Sequence, residues 1–246
     1  MHSVFELIRR RPVLSAVYWV KDAWQLFAQA PWLWIQLTSF ALLLNLVGRF
    51  NSLLLILAIF LNPFITAGFY KVVVAIQRQE AASFALLFKP LQQPEYRPLF
   101  LRLAGLNFLL AIPLSLFYEF LVQQVEAETV QFSLVFLFVF CTAIVWMMFS
   151  YAVAIVYFLA EKRLLSALMA SLVACWRNLV PLILFGIIAL ALSLATVPTF
   201  LLGMILVMPL LRIAFFLSFE DIFSFDPKQG RGQDSEPPAA DDVLEV

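Results

Sequence analysis

Six long apolar stretches alternate with short polar connections along the chain. They cover residues 31 to 48, 53 to 75, 99 to 121, 132 to 158, 179 to 197 and 199 to 219. A helix of about 20 apolar residues crosses the roughly 30 Å of hydrocarbon in a bilayer, and the stretches come close to that length or exceed it. Only helices and closed barrels satisfy their backbone in lipid, and these stretches are too long and too evenly apolar for barrel strands. The pattern predicts an all-α, polytopic membrane protein with six transmembrane helices.

Two other segments are amphipathic with helical spacing. Between Leu14 and Ala30, one face carries Leu14, Val17, Val20, Trp24, Phe27 and Ala28, and between Leu164 and Asn178 one face carries Leu165, Leu168, Leu172 and Trp176. Such a helix lies along a bilayer surface or against its own bundle. Residues 83 to 91 resemble a shorter copy, and each segment precedes two spans. We therefore expect a repeat of one surface helix followed by two spans.

Composition agrees with this class. Hydrophobic residues make up 63% of the 246 residues, and charged residues make up 13%. The mean hydropathy is +0.95. A water-soluble domain of this size does not bury so much apolar surface, so the lipid bilayer is the expected partner. The formal net charge is zero, and nothing in the charge balance indicates a nucleic-acid partner.

The positions of the basic residues predict the orientation. Lys and Arg resist translocation across a membrane. Of the 16 Lys and Arg residues, Arg49 alone lies in the connections after the first, third and fifth spans, and Arg212 lies inside the sixth. The others precede the first span, follow the sixth, or lie between or at the ends of spans two and three and spans four and five. This bias predicts that both termini and the two longer connections are cytoplasmic, so that the amphipathic helices are cytoplasmic too.

The chain divides into three parts. Residues 1 to 11 form a basic cytoplasmic segment, and residues 12 to 223 form one membrane domain. Residues 224 to 246 are rich in Pro, Gly and acidic residues, which predicts a disordered acidic cytoplasmic tail. Arg9, Arg10 and Arg11 precede a mixed segment rather than a short apolar core, so the amino terminus is not read as a cleaved signal peptide.

The residues that usually carry chemistry are sparse. His2 is the only histidine, which argues against histidine metal sites and a Ser-His pair. Cys141 and Cys175 lack metal spacing and are expected to pack in the bundle. Glu220 and Asp221 are adjacent and predicted to form a solvated cytoplasmic boundary rather than a catalytic pair. We therefore expect no catalytic residues, metal or cofactor, and no enzymatic activity.

Arg212 is the most unusual polar residue in the predicted spans. A charged side chain at membrane depth costs about 2.5 to 3.5 kcal/mol on insertion scales and is often functional. It follows Pro209 by one turn, and Pro209 leaves the carbonyl of Ile205 without its helical donor. The guanidinium either pairs with a carboxylate such as Glu161, holds a lipid phosphate, or reaches the interface along its own stem.

The second span contains a candidate helix break. Asn62 directly precedes Pro63, and Gly68 follows within two turns. These residues either expose backbone oxygens to an ion or permit close helix packing, and small and polar residues in lipid more often serve packing. Asn45, Asn107 and Gln36 fit the same description.

Several short patterns, taken together, support a resemblance. They are Trp24 ahead of Pro31, the spacing of Asn62, Pro63 and Gly68, the run Ser171, Trp176, Arg177, Asn178 and Pro181, and the ending Phe219, Glu220, Asp221, Ile222 and Phe223. Over roughly residues 12 to 223 the chain resembles an uncharacterised family of six-span bacterial inner-membrane proteins. That family is similar to the membrane domain beside some glycerophosphodiester phosphodiesterases. The resemblance implies an architecture and a bacterial inner-membrane address, but no catalytic residues.

The favoured hypothesis is a non-enzymatic membrane organiser or scaffold that interacts with lipid or a partner. Trp24, Trp176, Arg177 and Arg212 are the candidate contacts to anionic lipid headgroups or to another membrane protein. Transport of a small solute or lipid is the alternative, and an intramembrane enzyme ranks third. The sequence identifies no ligand, pathway or oligomeric state.

Overall fold

The computed structural model describes residues 4–48, 50–127, 129, 131–199 and 203–227, and its regular elements over these ranges are all helical. The α-helices are α1 (Ser15–Gln29), α2 (Pro31–Gly48), α3 (Ser52–Gln77), α4 (Lys89–Gln92), α5 (Arg97–Glu126), α6 (Phe132–Ser150), α7 (Ala152–Phe158), α8 (Leu164–Arg177), α9 (Leu179–Leu194) and α10 (Met204–Ile222). Short 3₁₀ segments cover Val4–Leu7, Phe84–Phe88 and Val197–Thr199. The all-α prediction is confirmed. The predicted disordered tail lies outside the described residues from position 228 onward.

Four stretches are long and apolar enough to cross a membrane. They are α2, α3, α5 and the pair α6–α7, which together extend over Phe132–Phe158. They correspond to the first four predicted spans within a few residues at each end. In α6 only Met147 is fully buried, and about half of its residues, including Phe132 and Phe136, are exposed, so one side of this helix requires lipid or another chain to cover it.

The last two predicted spans are less regular. Helix α9 has 16 residues, which corresponds to about 24 Å and falls short of the hydrocarbon thickness. Helices α8 and α9 meet at an 82° bend, and together they count as a fifth stretch, either a broken span or a re-entrant loop. Helix α10 has 19 residues and contains Arg212, Glu220 and Asp221. Residues 200–202 of the predicted sixth span lie outside the described part, and six spans remain a prediction.

A side chain from α8 repairs the break between α6 and α7. In an unbroken helix the amide of Tyr151 would donate to the carbonyl of Met147. Here the Tyr151 amide donates to Ser171 Oγ at 3.0 Å, and the Ser171 hydroxyl donates to the Met147 carbonyl at 2.7 Å. Ser171 is fully buried. Its hydroxyl is therefore inserted into the helical hydrogen-bond ladder and joins α8 to the break.

Aromatic side chains pack around α10. Tyr151 stacks on Phe215 with ring centroids 4.9 Å apart, and its hydroxyl lies 2.8 Å from Ser218 Oγ. Tyr70 of α3 stacks on Phe216 at 4.5 Å. These contacts bring α3, the α6–α7 break and α10 into one core.

Helix α1 packs on α10 through a face that the sequence analysis did not identify. The buried apolar side chains are Ala16, Trp19, Ala23 and Phe27, whereas Leu14, Val17 and Trp24 of the predicted apolar face are exposed. The small residues Ala16 and Ala23 let the two helices approach closely. Phe27 and the half-buried Val20 of the predicted face do pack against the core, so the prediction is right for these two residues. It missed a second, inner apolar face around Trp19.

The packing face of α8 also differs from the predicted face. It packs through the small residues Ala167, Ala170, Ser171 and Ala174 together with Leu168. Of the predicted face, Leu168 is buried and Leu172 is half-buried, whereas Leu165 and Trp176 are exposed. The order of α1, α2 and α3 resembles that of α8, α9 and α10, but α1 packs mainly on α10 while α8 packs on α6 and α7. The internal repeat remains a prediction.

We expect Gly68→Ala to destabilise the protein by about 2 to 3 kcal/mol, because overpacking against a backbone cannot relax freely. An added methyl group would overlap the carbonyl oxygen of Leu87 and lie 2.7 Å from its Cα. Unfolding in mild detergent measures the change. Gly186→Ala is the control, since no atom lies within 4 Å of the added carbon. Equal stability of the two variants would contradict the close approach.

Ser171→Ala should cost about 2 kcal/mol, because it leaves the Tyr151 amide and the Met147 carbonyl buried without their shared partner. Ser193→Ala is matched to it, since that hydroxyl donates only to the carbonyl of Ala189 in its own helix. We expect the control to change stability by less than about 0.5 kcal/mol. Thermal unfolding of both variants in the same detergent distinguishes an inserted hydroxyl from an ordinary helical serine.

Candidate functional site

Asp221, at the end of α10, connects three parts of the chain. Its carboxylate forms an ion pair with Arg11 at 3.0 Å and accepts a hydrogen bond from Trp19 Nε1 at 3.0 Å. Its backbone carbonyl accepts two hydrogen bonds from the Arg11 guanidinium, at 3.0 and 2.6 Å. A cation at the carboxyl end of a helix is also favoured by the helix dipole. Asp221 therefore anchors the amino-terminal segment and α1 to α10.

Asn178 occupies the corner between α8 and α9 and is fully buried. Its Oδ1 accepts from the Arg11 amide at 2.8 Å, and its Nδ2 donates to the carbonyls of Arg9 and Ala174 at 3.0 Å each. The side chain thus joins the backbone of α8 at the 82° bend to the backbone of the amino-terminal segment. We call Arg11, Trp19, Asn178 and Asp221 the Asp221 junction. Residues 4 to 11 are part of the packed structure through this junction and through the buried Val4 and Ile8.

Glu220 points to a different neighbour from Asp221. Its Oε2 accepts a hydrogen bond from Gln77 Nε2 at 2.8 Å, while Glu220 Oε1 and Gln77 Oε1 are buried without a partner among the described residues. Glu220 lies just beyond the end of the predicted sixth span. Burial raises the pKa of its carboxyl to about 8; the Gln77 hydrogen bond opposes this rise and Asp226 adds to it. The expectation of a solvated acidic boundary was wrong for Glu220, which packs against Gln77 of α3, whereas the Asp221 side chain remains 31% exposed beside Arg11.

The surface of α1 has three parts. Trp19 is 3% exposed in the core, whereas Trp24 is 58% exposed and stacks on Phe27 with ring centroids 5.8 Å apart. Lys21, Asp22, Gln25 and Gln29 form a separate exposed polar face. A helix with a packed side, an apolar side and a polar side suits the boundary between lipid and water.

Trp176 and Arg177 end α8 beside the Asn178 corner. Trp176 is 67% exposed, and Arg177 is exposed next to it. Trp24 and Trp176 are therefore both available to lipid or to a partner. An indole combines apolar area with one polar N–H group, which suits a headgroup interface.

Arg212 lies half-buried in the bundle. Its guanidinium carbon is 5.9 Å from the centre of the Phe69 ring, a cation–π contact. No ion pair of Arg212 occurs among the described residues, and Glu161 instead accepts from the Arg163 amide and the Ser166 hydroxyl. The Arg212–Glu161 pair considered from sequence is not formed, which leaves the phosphate and interface alternatives.

A cleft of about 260 Å³ gathers basic side chains that the sequence analysis used only for orientation. Lys71, Arg78 and Lys89 line it together with Glu80 and Glu95. Lys71 also lies 5.8 Å over the ring of Tyr157, and Arg78 donates to the carbonyl of Pro227. Arg78 forms an ion pair with Glu80 at 3.9 Å, and the lining as a whole has three cations and two carboxylates, so a net charge of about +1 favours an anionic ligand at this cleft.

The candidate break residues lie at three places. Pro63 is buried inside α3, and Asn62 and Pro63 line a polar cleft with Asn45 and Asn107. Gly68 is the point where the backbone of the 3₁₀ segment at Leu87 approaches α3. Pro209 is buried within α10, one turn before Arg212.

Sequence reasoning missed the roles of Trp19, Ser171 and Asn178. Ser171 and Asn178 stand in the motif used for the resemblance, but their partners are far away in the chain. The one signal that could have indicated the helix corner is an Asn placed between two predicted helices. Over the described ranges, the structure contains no group of three or more His, Cys, Asp or Glu side chains suited to a metal ion.

No family model, curated protein or solved structure matches this chain. The resemblance to a six-span bacterial family therefore stays a prediction.

We expect the protein to lose stability as the pH rises from about 4.5 to about 8, the interval between the ordinary pKa of Glu220 and its raised value in the fold. In this interval the folded carboxyl holds a proton that the unfolded chain releases, so ionisation favours unfolding. Glu220→Gln should flatten the pH dependence of the thermal midpoint in detergent. Glu95→Gln, at an exposed carboxyl, is the control. A steep dependence that persists in Glu220→Gln would assign it to other groups.

Proposed function

We propose that this protein is a non-enzymatic scaffold of the bacterial inner membrane that binds anionic lipid headgroups with its surface helices. It has six spans, with both termini and α1 and α8 on the cytoplasmic side. The observation that carries the proposal is the division of tryptophans on α1. Trp19 secures the helix to Asp221, and Trp24 is left exposed on the same helix.

The supporting observations concern charge. Lys71, Arg78 and Lys89 meet at one cleft, and Arg212 lacks an ion-pair partner within the described ranges. Each Lys or Arg close to an anionic leaflet adds about 1 kcal/mol of attraction. Trp24 and Trp176 would hold α1 and α8 among the headgroups by apolar contacts. This position would bring the exposed Lys21 and Arg177 of the same helices to anionic headgroups, so the preference for such lipids would depend on the two indoles.

Transport of a small solute or lipid is the second candidate. The polar cleft around Asn62 and Asn107 favours it, because transporters place binding groups at breaks in their helices. Solute uptake into sealed vesicles that falls in Arg212→Ala would support transport over the scaffold.

In nanodiscs with equal phosphatidylglycerol and phosphatidylcholine, we expect the protein to retain phosphatidylglycerol preferentially. Trp24→Ala combined with Trp176→Ala should reduce this preference about five- to tenfold, since each indole loses buried apolar area. Native mass spectrometry of the lipids that remain bound measures it.

The matched control is Trp146→Ala. Trp146 is 61% exposed on α6 but lies outside both surface helices. An equal loss of preference in this variant would show that any exposed indole suffices. Unchanged preference in the double variant would refute the surface-helix proposal.

A further inference from the structure

A polar cleft of about 240 Å³ lies between α2, α3, α5 and α6–α7. Its polar side chains are Asn45, Asn62, Thr66, Asn107 and Ser150. All belong to the four stretches that are long and apolar enough to cross a membrane. The cleft thus gathers amides and hydroxyls from four such stretches.

Two asparagines of the cleft lie far from the ends of their helices. Asn62 follows the start of α3 at Ser52, and Asn107 follows the start of α5 at Arg97, by about 15 Å of helix in each case. Half of a hydrocarbon layer is also about 15 Å. If α3 and α5 span a membrane, both asparagines lie near its midplane.

Several polar groups of the cleft lack partners. The side chains of Asn62, Thr66 and Asn107 make no hydrogen bond within the described part of the chain, whereas Asn45 and Ser150 bond to carbonyls of their own helices at 2.7 Å. Pro63 has no amide proton, so the carbonyl of Ile59 loses its helical donor, and Ile59 also lines the cleft. Unsatisfied polar groups in hydrocarbon cost several kcal/mol each. A molecule from outside the chain would remove this cost.

The lining specifies the chemistry of that molecule. Among the residues that the structure describes, no ionisable side chain lines the cleft. A charged ligand would therefore lie at membrane depth without a counter-ion. Carboxamides both donate and accept hydrogen bonds, as a hydroxyl does. The remaining walls, including Leu103 and Phe149, are apolar.

The volume of the cleft and its opening restrict the class of ligand further. A volume of about 240 Å³ equals that of about eight water molecules, which suits a small headgroup rather than a whole lipid. Asn45, Asn62 and Asn107 are exposed at the surface of the bundle, so the cleft opens sideways. An acyl chain could remain in the bilayer while the headgroup enters.

We propose that this cleft binds an uncharged, hydroxyl-bearing ligand through the side chains of Asn62 and Asn107. The source is either a neutral lipid or a free polyol. The site requires α2, α3, α5 and α6–α7 to lie in a membrane. It does not depend on the surface-helix proposal, because it involves different residues and an uncharged ligand.

The test uses the full chain in phosphatidylcholine nanodiscs that contain a photoactivatable diacylglycerol. We expect label on peptides of α3 and α5, and about a tenfold reduction in Asn62→Leu and in Asn107→Leu. Gln36→Leu is the control, since Gln36 is an exposed carboxamide of α2 outside the cleft. Thermal unfolding in the same nanodiscs verifies that each variant is folded, and the second asparagine provides an independent variant if the first is not.

Excess free glycerol distinguishes the two sources. Labelling that falls with glycerol supports a site open to free polyols, and labelling that persists supports a lipid headgroup. Equal labelling of wild type and both asparagine variants would overturn the proposal. So would wild-type protein that takes no label while its chains cross-link through α3, because a second copy would then cover the cleft.

Discussion

The hydroxyl of Ser171 stands between the Tyr151 amide and the Met147 carbonyl, where a helix would place a direct hydrogen bond. In apolar surroundings a broken helical turn leaves a donor and an acceptor that no water can satisfy. The inserted hydroxyl meets both needs and draws α8 against α6 and α7. Tyr151 is then free to stack on Phe215 and approach Ser218, so the position of α10 in the core follows from the same break.

At the Asp221 junction, at one end of the bundle, polar side chains also satisfy backbone groups at a helix break. Asn178 satisfies the backbone at the 82° bend, and Asp221 accepts from Arg11 and Trp19. Because these partners come from the amino-terminal segment, α8–α9 and α10, the junction joins both ends of the chain. It also decides which tryptophan of α1 is buried, and with it which side of α1 remains exposed to lipid or a partner.

Polar residues inside the bundle fall into two groups. Those whose hydrogen bonds are made within the chain have a structural role, and those without such bonds are candidates for binding a ligand. Ser171 and Asn178 are fully buried and fully bonded, so structural demand explains them. Asn62, Thr66 and Asn107 lie within membrane-length stretches, yet their side chains have no hydrogen-bond partner in the described ranges. The Arg212 guanidinium contacts the Phe69 ring and interacts electrostatically with Tyr70, but it forms no ion pair in the described ranges. These groups are where a ligand would lower the free energy of the protein.

The order of amino acids by itself determined the all-helical class and four membrane-length stretches, because hydropathy and length are properties of each segment alone. The sequence did not determine which faces of α1 and α8 pack in the bundle. Both helices carry apolar residues on two sides, and only the shape of the neighbouring helix selects one. The partners of Ser171, Asn178 and Asp221 were equally invisible, as was the convergence of Asn45, Asn62 and Asn107. Hydrogen bonds and clefts depend on residues far apart in the chain, and only the packed helices bring those residues together.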